Sequence, residues 1–237
     1  MRLTLLFCSV CLLVFIAGCK RSGQQSTNNS AGTAAVSNGS GDRSQARTLL
    51  DKGKQLYRDD QDTEAVAAFQ QAVALDPDLA EGHFRLGLAY EALDKRDEAE
   101  AEYKKAVAAY KKHLDASPDD AEAHYNLGQT YANLSQYSDA IREYRQATRL
   151  KTDDPDIYYD LGLAHTKLAQ YDAAAAAFSK SLEIDPEYYR AQDALEEARE
   201  GVKRIRVGKK HQADLLKKQK AEELKKAGLT PSPTPHN

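Results

Sequence analysis

The chain has 237 residues, 41% hydrophobic and 29% charged, with no tryptophan, three cysteines and a formal net charge of −3. All three cysteines lie within the first 19 positions, which excludes a disulfide-stapled fold. The small net charge averages unlike parts: residues 44–202 hold 19 Lys and Arg against 32 Asp and Glu, and residues 203–226 hold ten against three. A body that acidic repels phosphate, so nucleic acid is not expected as a partner.

Residues 1–18 begin Met1-Arg2 and run on as LTLLFCSVCLLVFIAG, a largely apolar stretch of sixteen behind one positive charge. A spanning helix needs roughly 20 such residues, so the stretch reads as an export signal. It stops at Ile16-Ala17-Gly18-Cys19, which resembles the bacterial lipobox, and polar Lys20-Arg21-Ser22 follow. The resemblance implies cleavage before Cys19, lipidation of that cysteine and attachment to a membrane through it. Cleavage would remove Cys8 and Cys11, leaving no pair for an intramolecular disulfide. Stable anchoring takes more than one acyl chain, and the two or three of a lipoprotein suffice. Lys20 rather than Asp after the cysteine points, by enterobacterial-type sorting, to the periplasmic face of the outer membrane. Residues 19–43 are rich in Ser, Gly, Asn and Thr and have almost nothing to bury. They are predicted to be a disordered tether with a reach of roughly 27 Å.

From there the chain repeats. Gly53, Gly87, Gly128 and Gly162 each precede an Ala by twelve residues and a Phe or Tyr by sixteen: Ala65/Phe69, Ala99/Tyr103, Ala140/Tyr144 and Ala174/Phe178. The glycines are 34, 41 and 34 residues apart, a step that marks stacked supersecondary units. Placing each glycine at position 8 of its unit gives units 46–79, 80–120, 121–154 and 155–188. Within each, apolar residues recur at spacings of three and four, as amphipathic helices require. Asp76-Pro77, Ser117-Pro118, Asp154-Pro155 and Asp185-Pro186 punctuate the units, because the residue before proline is pushed out of the helical region. Each unit is therefore predicted to be helix, turn, helix, turn.

These residues resemble the tetratricopeptide repeat (TPR) family, whose signature W-x2-L-G-x2-Y, then A-x3-F, then P spans 34 residues. The chain reads His83-x2-Leu86-Gly87-x2-Tyr90, His124-x2-Leu127-Gly128-x2-Tyr131 and Tyr158-x2-Leu161-Gly162-x2-His165, with a weaker Leu49-x2-Lys52-Gly53-x2-Leu56. The resemblance implies an all-α, right-handed superhelical solenoid with a C-terminal capping helix. Seven extra residues lengthen the second unit, and Tyr103, Ala106, Val107, Tyr110 and Leu114 carry the apolar stripe through them. Its second helix is predicted to project by about 10 Å.

After the fourth unit, residues 189–207 present Ala191, Ala194, Leu195, Ala198, Val202 and Ile205 at helical spacing, fitting a polar-backed cap. Gly208 is expected to break or bend the chain ahead of a basic helix over 208–228, and 229–237 reads as a Pro-rich disordered tail.

Motifs that carry chemistry are missing: the sequence has no GxSxG, no phosphate loop and no HExxH, so neither catalysis nor a cofactor is expected. His83, His124 and His165 stand 41 residues apart, but the repeat frame places all three at packing positions rather than in a metal site. The acidic runs at 59–62 and 153–154 fall in turns, without the Gly and distal Glu of a calcium loop.

What remains is the groove. In the TPR family, positions 2, 5, 6, 9, 12 and 13 of the first helix line the concave face. The resemblance therefore places Leu50, Phe84, Tyr125 and Tyr159 in a stripe at position 5. Arg85, Leu88, Asn126, Gln129, Asn133, Leu163 and Lys167 lie beside it. Aromatic residues flanked by amides and cations are what a peptide-binding surface uses, although position 5 can also simply pack between repeats. The clamp with which some TPR proteins hold chaperone carboxylates is absent, since its places are taken by Leu50, Lys54, Arg85, Glu122 and Asn126. The expectation is a non-catalytic, membrane-anchored scaffold of the bacterial envelope. It would bind a protein rather than a small molecule, in assembly of a pilus, secretin or outer-membrane complex. The alternative is a regulatory or substrate-presenting subunit of a cell-wall hydrolase or glycosyltransferase complex.

Overall fold

The computed structural model describes residues 39–228. The export signal, Cys19, most of the tether and the tail at 229–237 lie outside the described residues. Nine α-helices make up the described part: α1 Gly39–Arg58, α2 Asp62–Leu75, α3 Ala80–Ala92, α4 Arg96–Ala116, α5 Ala121–Asn133, α6 Tyr137–Leu150, α7 Pro155–Lys167, α8 Tyr171–Ile184 and α9 Tyr189–Lys226. They pack as antiparallel pairs α1/α2, α3/α4, α5/α6 and α7/α8, each stacked on the next, with α9 closing against α8. α1 takes in residues 39–43, which were assigned to the tether. Ala46 and Leu50 anchor that helix by burying one of its faces, and its first turns carry little of the packing.

Gly–ring complementarity holds each pair together. A Cβ on Gly53, Gly87, Gly128 or Gly162 would come within 2.4–2.6 Å of the ring of Phe69, Tyr103, Tyr144 or Phe178 respectively. The alanines at position 20 (Ala65, Ala99, Ala140 and Ala174) are at most 3% exposed, so the two helices approach closely on both sides of that ring. Position 27 is Ala72, Ala106, Ala147 and then Ser181, and all four are fully buried. Ser181 offsets its buried hydroxyl by donating to the carbonyl of Pro155, 2.9 Å away.

The turn inside each pair is identical in backbone conformation. Asp60, Asp94, Ser135 and Ala169 all sit at φ of 54–58°, the left-handed conformation that lets a helix end and the chain reverse. Asp suits it, and Ala does not. Ala169→Gly is accordingly expected to raise stability by about 1 kcal/mol, checked by urea unfolding.

First helices touch one another across repeats (α1 with α3, α5 with α7, α7 with α9), while among the described residues no two second helices do so equivalently. The first helices thus line the inside of the curve. α9 begins as a fifth first helix: Ala191, Leu195 and Ala198 occupy the places of Ile157, Leu161 and Ala164 and are likewise buried. Glu196 stands where a glycine would admit a second helix, and that substitution ends the array. The expected break at Gly208 does not occur, for α9 runs unbroken to Lys226. A lone glycine costs a helix only about 1 kcal/mol, and the Lys, Gln, Ala, Leu and Glu residues around it are strong helix formers.

α4 has 21 residues against 14 in α2, α6 and α8. Its extra turns are fastened by Lys112 to Asp78 (2.6 Å) and by His113 to Asp120 (2.8 Å). Tyr110 is 4% exposed, and its hydroxyl has no hydrogen-bond partner among the described residues.

The histidines pack, and with partners the sequence reading had not assigned. His83 places Nδ1 2.7 Å from Glu102 and Nε2 3.1 Å from the Pro77 carbonyl. His124 repeats this with Glu143 at 2.8 Å and the Pro118 carbonyl at 3.0 Å. His165 bonds Gln170 at 2.7 Å, and burial pulls its pKa below the usual value against that bond. Among the described residues no three His, Cys, Asp or Glu side chains are grouped as a metal would need.

Candidate functional site: the concave groove

α3, α5 and α7 lie side by side on the inner face, and their outward positions converge on a concavity of about 580 Å³. Seven of the eleven anticipated groove residues line it: Phe84, Arg85 and Leu88 from α3, Gln129 and Asn133 from α5, Leu163 and Lys167 from α7. Leu88 and Leu163 are half-buried and give the wall an apolar patch. Asn133 and Lys167 are exposed at its edge, where an amide and an ammonium reach solvent. Arg85 stacks 5.6 Å from the Phe84 centroid and bonds Glu81 at 3.3 Å, and Glu81 also receives Lys54 at 3.0 Å.

The position-5 residues do not form an exposed stripe. Leu50 and Phe84 are 4% and 3% exposed, and Tyr159 is 9% exposed. Each is covered because its neighbouring helices close over it. Leu50 packs in the cluster of α1, α2 and α3. Phe84 leans on Tyr103 and shows only an edge to the groove. Tyr159 packs on Phe178 and is roofed by Arg190 at 4.6 Å and Tyr188 at 5.4 Å, both from the start of the cap. Tyr125 is half-buried against Tyr144. Leu50, Tyr125, Asn126 and Tyr159 all lie outside the lining of the concavity.

The side chain that the sequence reading omitted is Asp160, at position 6 of the fourth unit. It lines the concavity and accepts from the Tyr125 hydroxyl at 2.9 Å and from Gln129 Nε2 at 3.1 Å, while Gln129 also donates to Tyr125 at 2.9 Å. This triad bolts α5 to α7 under the groove. Burial raises the Asp160 pKa above the usual carboxylate range, only partly offset by the bonds from Tyr125 and Gln129. The folded state therefore holds its proton more tightly than the unfolded chain does. Stability falls as pH rises through the unfolded value of about 4 toward the folded one. Asp160→Asn keeps an oxygen for both donors and removes that penalty. It is expected to melt higher than wild type at neutral pH and alike in acid below about pH 4, followed by thermal unfolding across pH.

Curved pairs of helices with polar and apolar side chains gathered on the inner face define an α-solenoid built to hold another chain. Profiles described as TPR repeat match residues 53–94, 101–135 and 131–169, and others described as tetratricopeptide repeat match 81–113 and 155–188. The chain belongs to the tetratricopeptide repeat family. Among solved structures it is similar to the MamA protein, at 25% identity and a TM-score of 0.50, covering 80% of this chain and 98% of that one. It is also similar in fold to the APC/C hetero-tetramer Cut9-Hcn1, at 23% identity and a TM-score of 0.52, covering 65% of this chain and 29% of that one. No curated protein matches it in sequence.

Proposed function

We propose that this chain is a lipid-anchored scaffold of the bacterial envelope that holds a protein partner in the groove of α3, α5 and α7. The groove carries the reading. It gathers the amides of Gln129 and Asn133, the cations of Arg85 and Lys167 and the apolar Leu88 and Leu163 around one concavity on a rigid inner face. The Asn133 amide and the Gln129 carbonyl pair with the backbone of an extended segment, the leucines take its apolar side chains, and the cations favour acidic ones. Asp160, the half-buried carboxylate there, is committed to Tyr125 and Gln129 and acts as a fastening of the wall rather than a reacting group.

The anchor rests on the sequence: the apolar run that stops at Cys19, the polar residues after it and the low-complexity segment leading to α1. Cys19→Ser is expected to abolish incorporation of labelled fatty acid and to release the protein from the membrane fraction. Fatty-acid labelling that survives the substitution would refute the assignment. The groove is tested separately by Arg85→Ala, Asn133→Ala and Lys167→Ala combined. Asn133 and Lys167 are exposed, and half-buried Arg85 bonds Glu81 within its own helix, so the fold should survive. At about 1 kcal/mol each, partner affinity should fall roughly a hundredfold. Unchanged partner capture by a normally melting triple variant would move recognition elsewhere.

A further inference from the structure

α9 is longer than a cap requires. Its last tie to the body is Arg206 to Asp172, at 3.9 Å. From Val207 to Lys226 another twenty residues continue as helix, almost all exposed. At 1.5 Å per residue this arm stands about 30 Å beyond the array. It is the basic part of the chain, with seven Lys against three Asp and Glu over 207–226, whereas the body over 44–202 carries 32 acidic residues against 19 basic ones. Val207, Leu215 and Leu216 are 68%, 48% and 58% exposed on it.

We infer that this arm binds the headgroups of an anionic lipid surface. The inference rests on the envelope reading only for where such a surface is met. Three observations select the occupant. The charge is opposite to that of acidic lipid, while the acidic body is repelled, so the molecule is steered arm-first. Six of its seven lysines (Lys209, Lys210, Lys217, Lys218, Lys220 and Lys225) fall within one half of the helix circumference at about 100° per residue, a broad basic face suited to a plane. A protein groove would instead need anchors at i, i+3, i+4 and i+7 on one face, and the exposed apolar residues do not form that stripe. Pairing of two arms from separate copies is opposed by their like charge. A diffuse anionic plane asks only for many cations and a few apolar side chains that can sink between headgroups, and Leu216 at the edge of the basic face supplies one.

The chain contains no tryptophan, so Leu216→Trp installs a single reporter in the full-length, natively processed protein. On adding vesicles that mix phosphatidylglycerol with phosphatidylcholine, its emission should shift to the blue. The shift should reverse with salt and be absent with pure phosphatidylcholine. Lys209→Gln, Lys210→Gln, Lys217→Gln, Lys218→Gln and Lys220→Gln together should weaken the response by at least about a hundredfold, since each cation near such a surface is worth roughly fivefold. No shift with anionic vesicles, or an equal shift with neutral ones, overturns the inference. So does a shift produced by an acidic protein partner and not by lipid. The anchor is read independently: lipidated protein sediments with both vesicle types whatever the arm does, and unlipidated protein sediments with the anionic ones alone.

Discussion

Gly128→Val should destabilise the protein by about 3 kcal/mol, seen as a lower urea midpoint. The added Cβ would stand 2.6 Å from the Tyr144 ring, closer than carbon atoms approach without movement. Tyr144 is 2% exposed and packed on Tyr125, so its ring cannot move aside without disturbing that contact. α5 and α6 must therefore separate. The third unit joins the first two to the fourth and the cap, so weakening it should also lower cooperativity, because each repeat is stabilised only by its neighbours. Gly208→Ala is the matching control: nothing lies within 4 Å of its Cβ position, and the substitution should strengthen α9 by up to about 1 kcal/mol. A Gly128→Val protein that unfolds like wild type would show that close approach of the helices is not what holds the unit.

The second large effect is a compensation between unit positions 4 and 23. Where position 4 is His, position 23 is Glu (His83/Glu102 and His124/Glu143). Where it is Leu or Tyr, position 23 is Ala (Leu49/Ala68 and Tyr158/Ala177). His83 and Glu102 are 6% and 9% exposed, so each is largely withdrawn from water and relies on its partner. Glu102→Ala leaves a buried ring nitrogen unpaired, at about 2 kcal/mol. His83→Tyr leaves a buried carboxylate with Lys105 alone and should cost about 3 kcal/mol. The double variant reproduces the fourth unit. It is expected within about 1 kcal/mol of wild type, a coupling of about 4 kcal/mol, because a cleft of about 560 Å³ lined by both residues leaves room for the larger ring. Additive losses would contradict the pairing.

Acid should disturb the same pair. Burial lifts the Glu102 pKa, but the hydrogen bonds from His83 and Lys105 outweigh it and hold the carboxyl below its usual range. The folded value lies below the unfolded one, so this stabilisation is present above about pH 4 and disappears as pH falls through the folded value.

Gly–ring pairs were legible in the sequence because small and large residues at a fixed spacing of sixteen state the contact outright. The His–Glu pairs were legible only by comparing position 4 with position 23 across the four units, since a histidine alone does not name its acceptor. Burial at position 5 was not legible. Whether Tyr159 is open to the groove depends on Tyr188 and Arg190, which belong to the next element and cover it. Asp160 sits at a groove position that the repeat frame marks, but its tie to Tyr125 spans 35 residues and two repeats. Gly208 was misread because a glycine signals a break only where its neighbours are poor helix formers or a turn is required, and here neither holds.

The account turns on the inner face as the recognition surface. It is tested most directly by photo-crosslinking in living cells from a reactive residue placed at Leu88 or Asn133 in the concavity, against the same residue at Arg145 on the exposed face of α6. The account predicts a discrete protein adduct from the two groove positions, lost with Arg85→Ala, Asn133→Ala and Lys167→Ala (the first and third alone when the probe sits at position 133), and none from position 145. The same adduct from position 145, or adducts from the groove that survive those substitutions, would contradict it.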